Sequence, residues 1–400
     1  MREERGRIAC TVPPVRAGSR RAAAVARFLV ALAAAWTCWA SAPAVANQAT
    51  IHDARVTSTA RLLAGTNPDY EPHARVAALD AWQAHRDALA PQWERLRRER
   101  LGVIANWRDE VLGPDLARCR TLLYPFSGPD FLNADLLFPR CDTYVFFGLE
   151  QPGTVPALEN MGRDETALFL KDVRFALGDL LERNYFITSH MSRQLHTPRL
   201  KGVLPVMLAS MALLDVRITA IEPFDLRPTP PLNPSPDVGG YSARRMQAIK
   251  VEFFHPQVGK PQTLYYFSLD ATDVALRRNP EFLPFLAQFR QSITFIKAGS
   301  YLLHGPEFAG TRKVLLDVTA LLVQDDTGIP YRMLRERGWE VRLFGRYARP
   351  VQDFNYGYQE DLAAAYRAAG KAEELPFSFG YHWQQGRSGL MIARSGTKGS

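Results

Sequence analysis

The stretch that most constrains this chain is CRTLLYPFSGPDFLNADLLFPRC, which begins at Cys119 and ends at Cys141. Thr121–Tyr124 and Thr143–Phe147 are apolar runs of strand length, and a Pro/Ser/Gly/Asp turn over residues 125–130 follows the first of them. Of four cysteines in the sequence, Cys10 and Cys38 fall in an N-terminal leader, so Cys119 and Cys141 are the pair left to the rest of the chain. A disulfide between them closes a loop of 22 residues, for which the chain-entropy argument gives roughly 3 kcal/mol. Its expected role is to hold the Tyr124–Asp130 turn in place. A zinc or redox site would need further ligands or a Cys-x-x-Cys spacing, and neither is present.

Residues 1–46 carry the pattern of an export signal: seven arginines, an apolar run from Phe28 to Ala40, then Ala44-Val45-Ala46 before Asn47. The apolar run is too short to cross a bilayer, which takes about 20 residues. Lipoprotein processing at Cys38 would want small residues where Trp36 and Thr37 stand, and Ser19-Arg20-Arg21 lacks the apolar pair of a strong twin-arginine signal. The expectation is a periplasmic or secreted protein in an oxidising compartment, where two cysteines pair.

Removing that leader alters the charge argument. The whole sequence has 49 basic and 41 acidic residues; without seven arginines and two glutamates, 42 and 39 remain, and the balance falls from +8 to +3. The remaining cations are interspersed with acids, so no nucleic-acid partner is expected. The 354 residues after position 46 suffice for one large core. No later run reaches membrane-spanning length: Val203–Leu214 is interrupted by Pro205 and followed by Asp215.

In chain order, Asn47–Tyr70 reads as a polar arm and residues 72–112 as a helical segment, with Trp82 and Trp93 at core spacing. After the two strands, Asp164–Tyr185 is an amphipathic helix and Val203–Leu214 a buried one. Val216–Ile221, Met246–Phe254 and Thr263–Leu269 read as an antiparallel meander. It is interrupted over residues 222–240 by a Pro-rich excursion with six prolines. Ser292–Leu303 is ambiguous between strand and helix. Gly310–Val323 reads as a helix, Trp339–Tyr347 as a strand, Gly357–Ala369 as a helix, and Phe377–Trp383 with Leu390–Ala393 as a closing hairpin. Together these predict one large α/β domain over 47–400: a mixed, partly antiparallel sheet with helices packed on it.

The common signatures of exported hydrolases and nucleotide-binding proteins are absent: no phosphate loop, Gly-x-Ser-x-Gly elbow or His-Glu-x-x-His. Candidate chemistry rests instead on turns. Ser127 and Asp130 sit where a strand end would open onto a cleft, with Tyr124 before them; Asp130 could equally cap a helix beginning at Phe131. Asp325 and Asp326 are adjacent carboxylates after the helix ending at Val323; they could bind a hard cation with Gln324 or Thr327 oxygens or solvate a turn, and neighbouring anions at a helix C-terminus are electrostatically unfavourable. If 292–303 is helical, Lys297, Ser300, Tyr301 and His304 share one face, and a basic group beside a hydroxyl could activate a nucleophile. His190 and His196, six residues apart, suit no simple helical pair, and His382, between Tyr381 and Trp383, could belong to an aromatic binding surface or to a strand edge. No metal site and no particular cofactor is indicated.

The motifs Tyr124-Pro125-Phe126-Ser127-Gly128-Pro129-Asp130, Leu264–Leu269 and Gln324-Asp325-Asp326-Thr327-Gly328-Ile329-Pro330-Tyr331 resemble those of a group of exported bacterial proteins of uncharacterised activity. That resemblance implies an envelope or extracellular location and no mechanism. The functional expectation is an exported cell-envelope protein that binds a ligand or envelope partner, using Tyr124, Ser127, Asp130, Asp325 and Asp326. The alternative is an envelope-acting hydrolase or transferase with Ser127, Asp130, and Asp325, Asp326 or His304 in its site.

Overall fold

A computed structural model describes residues 43–182, 195, 197–227, 245–368, 372–383 and 386–396. The chain divides into two units, Met1–Ala49 and Thr50–Ser400. Of the first, only the opening of helix α1 (Pro43–Ala64) is described. Most of the leader and most of the Pro-rich excursion lie outside the described residues, as do His190 and His196.

Among the described residues of the second unit, nine strands form one sheet in the order β3-β4-β5-β2-β1-β6-β7-β9-β8. They are β1 (Thr121–Pro125), β2 (Thr143–Gly148), β3 (Arg217–Phe224), β4 (Gln247–Phe254), β5 (Pro261–Ser268), β6 (Ser292–Ile296), β7 (Thr319–Gln324), β8 (Glu340–Gly345) and β9 (Gly389–Arg394). The five central strands, β5-β2-β1-β6-β7, run parallel, and antiparallel pairs flank them on both sides. The expected meander is β3-β4-β5. Leu122, Tyr124, Tyr144, Phe146, Ile293 and Phe295 face one layer of the core, while Leu123, Val145, Phe147 and Ile296 face the other. Burial on both faces explains why β1 and β2 are apolar without alternation.

The first face is covered by α1, α2 (Asp80–Leu96), α3 (Gly102–Val111), α4 (Phe131–Leu137), α5 (Arg163–Glu182) and α6 (Leu204–Leu213). The second is covered by α7 (Phe282–Ala287), α8 (Ala309–Val318) and α9 (Tyr331–Glu336). A further helix, α10 (Glu360–Ala368), follows β8.

Four expectations need correction. The segment read as a polar arm is α1, with Val56, Ala60, Leu62 and Leu63 fully buried. Its polarity is absorbed within the helix and from a distant strand: Thr59 Oγ1 donates to the Arg55 carbonyl, and Thr57 Oγ1 accepts from the Ile218 amide at 2.9 Å. The apolar stripe from Val314 to Leu322 is divided between α8 and β7, because parallel pairing with β6 claims the residues from Thr319 onward. Residues 292–296 are strand β6, so no helix carries Lys297 through His304. At the C-terminus, β9 inserts between β7 and β8, and 377–383 contributes only an isolated Phe379–His382 bridge instead of a hairpin strand.

The disulfide joins Cys119 to Cys141, with Cα atoms 4.6 Å apart. Its expected role is nevertheless wrong. Because β1 and β2 are parallel, in register from Thr121–Thr143 to Pro125–Phe147, both cysteines lie at the amino ends of their strands. The 125–130 turn lies at the opposite ends, about five residues or ~16 Å away. The bond closes the β1–α4–β2 crossover and anchors the strands' register.

Trp82 and Trp93 are core, and their indoles have a second role. The last carbonyls of a helix lack intrahelical donors. At the end of α1, Trp82 Nε1 donates to Leu62 O (3.1 Å), Trp93 Nε1 to Ala64 O (2.7 Å), and His85 Nε2 lies 2.9 Å from Leu63 O. Arg174 of α5 lies 3.1 Å from His85 Nδ1. Neutral His85 donates from Nε2 and accepts from Arg174; protonation would aim a second N–H at a cation. Burial, with Arg174 adding to it, pushes the imidazole down to about 4. A lowered histidine pKa stabilises the fold fully above the unfolded value near 6.5, and that stability disappears as pH falls towards 4. The loss expected is about 2–3 kcal/mol. Histidine-detected NMR titration should place the His85 midpoint near 4; a midpoint near 6.5 would contradict this account.

Candidate functional site

The crossover from β1 passes through α4 to β2 on one side, whereas β6 leads through α8 to β7 on the other. β1 and β6 are neighbours, so the segments leaving their carboxyl ends diverge. This is the topological switch point where open α/β sheets place ligands. Six described non-glycine residues have left-handed φ, and four of them, Phe126, Ala298, Ser300 and Tyr301, lie in these two segments. Such conformations cost of order 1–3 kcal/mol each and persist where the surroundings enforce them.

Asp130 is the hub of the β1 side. It caps α4, accepting from the Asn133 amide at 3.3 Å and from Asn133 Nδ2 at 2.7 Å through Oδ1. Its Oδ2 accepts from Tyr124 OH at 2.8 Å and pairs with Lys297 Nζ at 2.5 Å. Both partners of this ion pair are 1% exposed at the side chain. One carboxylate serves both as the cap of α4 and as the partner of Lys297. Burial holds the Lys297 ammonium below its usual range against the attraction of Asp130. Burial also pushes the nearby Arg100 guanidinium down to about 10, with Asp130 opposing the shift. Ser127 is buried too, but its hydroxyl donates to the Gly128 carbonyl at 3.2 Å.

Asp325 and Asp326 follow β7, a strand, so the helix-dipole conflict expected for them does not arise. Asp325 accepts from the Ala298 amide (2.8 Å) and the Thr327 amide (3.0 Å), joining the loops after β6 and β7. Gly380 is required beside it: φ there is +61°, and a Cβ would overlap Asp325 Oδ2. Asp326 accepts from Tyr301 OH at 2.5 Å. Burial pushes both carboxyl groups up to about 6, and the charge of Asp326 adds to the shift at Asp325. A raised carboxyl pKa favours the fold below the unfolded value near 4, and that contribution is lost as pH rises through 6. Asp326→Asn should therefore gain stability relative to the parent between pH 4 and 8, measured by urea denaturation. A difference independent of pH would contradict this.

The structure brings Tyr124, Ser127 and Asp130 to the end of β1, and Asp325 and Asp326 to the end of β7, with Lys297 between them at the end of β6. Tyr124 and Lys297 both feel the charge of Asp325. His304 lies beside the Asp326 turn: its ring packs edge-on against Tyr301 at 5.1 Å, and burial pushes the imidazole down to about 4 against hydrogen bonding to the Asp326 and Gly328 backbone. Four residues expected on one helix face instead diverge. Lys297 turns to Asp130, Ser300 Oγ lies 2.7 Å from Tyr381 OH, Tyr301 reaches Asp326, and His304 packs edge-on against Tyr301. The Lys297–Asp130 pair spans 167 positions, so no local pattern announces it. The involvement of Arg100 and Gly380 was equally unreadable, whereas Tyr381 stands beside His382 and Trp383 in a stretch legible as an aromatic surface.

Above Asp326 the side chains become aromatic. Tyr301 lies 5.6 Å from Phe354 and 6.3 Å from Tyr356 by ring centroids, and Phe354 stacks on Tyr381 at 5.2 Å. Tyr356 is 72% exposed, and Tyr358 and Trp383 are also exposed. Asp326 itself lines a cavity of about 10 Å³ with Arg346, Tyr347, Tyr366 and His382, room for about one water. Among the described residues no cluster of three histidine, cysteine or acidic side chains is placed to hold a metal, and no helix is long and apolar enough to cross a membrane. No family model, curated protein or solved structure matches this chain.

Proposed function

We propose that this is an exported envelope protein that binds a saccharide at the carboxyl edge of its parallel strands. Export rests on the leader pattern of residues 1–46, on the paired cysteines and on the motifs resembling those of exported bacterial proteins. The observation that carries the binding reading is the ring cluster of Tyr301, Phe354, Tyr356 and Tyr381. It stands beside the Asp326 carboxylate, which accepts from Tyr301 OH. Aromatic faces offer apolar area at small entropic cost, and their polar tips accept and donate hydrogen bonds. A pyranose has the matching combination of an apolar face and a hydroxyl rim.

The hydrolase or transferase reading has weaker support. Carboxyl groups with pKa near 6 suit proton transfer close to neutrality, but the hydroxyl of Ser127 is bonded to a backbone carbonyl.

Saturation-transfer NMR with the N-acetylglucosamine trimer provides the test. Transfer from the Tyr356 ring is expected, and Tyr356→Ala should weaken binding about fivefold while leaving thermal stability within a degree or two, since loss of one stacking partner is worth about 1 kcal/mol. Failure of that trimer and of other envelope oligosaccharides to receive magnetisation would end the saccharide reading.

A further inference from the structure

At the opposite end of the sheet, the amino ends of β1 and β2 and the β4–β5 turn enclose a cavity of about 780 Å³. Arg118, Arg120, Arg140 and Lys260 line it against a single carboxylate, Asp142. That carboxylate is already engaged, because Lys260 pairs with it. Asp109, which lies close enough to feel Arg140, is held by Arg108 at 2.8 Å. Three exposed guanidinium groups are thus left without a carboxylate in hydrogen-bond contact among the described residues. A second cavity of about 490 Å³ shares Leu116, Arg140, Gln257 and Val258 with the first. Asp109, Asp135 and Asp215 line it, and Asp135 lies 3.4 Å from His255.

The disulfide explains how these charges are assembled. Cys119 is flanked by Arg118 and Arg120, and Cys141 follows Arg140, so the bond brings all three arginines to one rim. The Thr143 amide donates to the Arg120 carbonyl at 2.9 Å and holds that rim to β2. Gathering like charges opposes folding, and a covalent tie at the centre of the cluster offsets that opposition. Guanidinium groups present planar forks that match phosphate and sulfate oxygens in pairs. A volume between 300 and 1,000 Å³ is that of a small-molecule site.

We propose that this cleft binds a ligand carrying at least two phosphate or sulfate groups, at a site separate from the aromatic edge. A single carboxylate could satisfy one arginine and would leave the others facing each other.

The test is calorimetric titration of the disulfide-intact protein with inorganic tripolyphosphate at low ionic strength. Micromolar binding is expected, weakening steeply as salt is added because the contacts are between exposed charges. The double variant Arg118→Gln, Arg140→Gln should bind at least tenfold more weakly with an unchanged circular-dichroism spectrum. Arg332→Gln, an exposed charge on α9, should bind as the parent does. Absence of binding, a double variant that binds like the parent, or an equal loss in Arg332→Gln would each overturn the proposal. Co-sedimentation with phosphatidylglycerol vesicles, tested for the same arginine dependence, distinguishes the two phosphate sources: arginine-dependent sedimentation identifies a lipid headgroup, and binding confined to tripolyphosphate identifies a soluble ligand.

Discussion

Lys297→Met is expected to destabilise the protein by about 3–5 kcal/mol, the range for removing one partner of a buried ion pair. Lys297 and Asp130 are each 1% exposed at the side chain and lie 2.5 Å apart. Methionine fills much of the lysine volume, so the loss is electrostatic more than steric. Asp130 would keep the Tyr124 hydroxyl and both Asn133 donors but would have no cation in contact. Adding Asp130→Asn to the same chain should restore most of the loss, because the amide can still cap α4 while the buried charge is gone. Urea denaturation of the parent, the single variants and the double variant gives the coupling energy directly. A cost below 1 kcal/mol for Lys297→Met would mean that the pair is solvated like a surface pair, and its burial as described above would be wrong.

Cys119→Ser with Cys141→Ser should cost roughly 3 kcal/mol, as expected for opening a loop of this length. The effect should be located at the amino ends of β1 and β2, where the bond lies. Hydrogen exchange should accelerate at the Thr143 amide, which bonds to Arg120 O, while the amides of Ala298 and Thr327, bonded to Asp325 at the other end of the sheet, keep their protection relative to global unfolding. Equal acceleration at both ends beyond the global change would show that the bond acts on the carboxyl edge after all.

The contrast between those two ends shows what was legible in advance. The apolar runs at Leu122–Tyr124 and Tyr144–Phe147, the buried helix at Leu204–Leu213 and the β3-β4-β5 meander are written locally, in hydrophobic period and turn residues. Reading failed where a segment's polarity was satisfied from outside. In α1, Thr57 is bonded to Ile218, and the terminal carbonyls are capped by Trp82, His85 and Trp93 of α2. A run rich in threonine and alanine looked solvated because those partners lie far along the chain. The same limit applied from Val314 to Leu322, where an apolar stripe was cut in two by the pairing of Thr319 with Ser292.

For the candidate site, residue types were readable and their relations were not. Tyr124, Ser127, Asp130, Asp325 and Asp326 were nameable because hydroxyls and carboxylates beside glycine and proline mark strand ends. That Asp130 reaches Lys297, or that Asp325 ties the Ala298 and Thr327 amides together, depends on which strands are neighbours. The sequence by itself determined the mixed α/β class, the pairing of the two cysteines and the strand that bears the Asp130 turn, because period, composition and cysteine count are properties of short stretches; β7, which bears the turn of Asp325 and Asp326, reads in sequence as part of a helix. Only the tertiary structure decided direction: parallel pairing of β1 with β2 and β6 sends the disulfide to one end of the sheet and the Asp130–Lys297 pair to the other. Direction is set by crossover helices packing on a shared core, and no single stretch of chain contains that information.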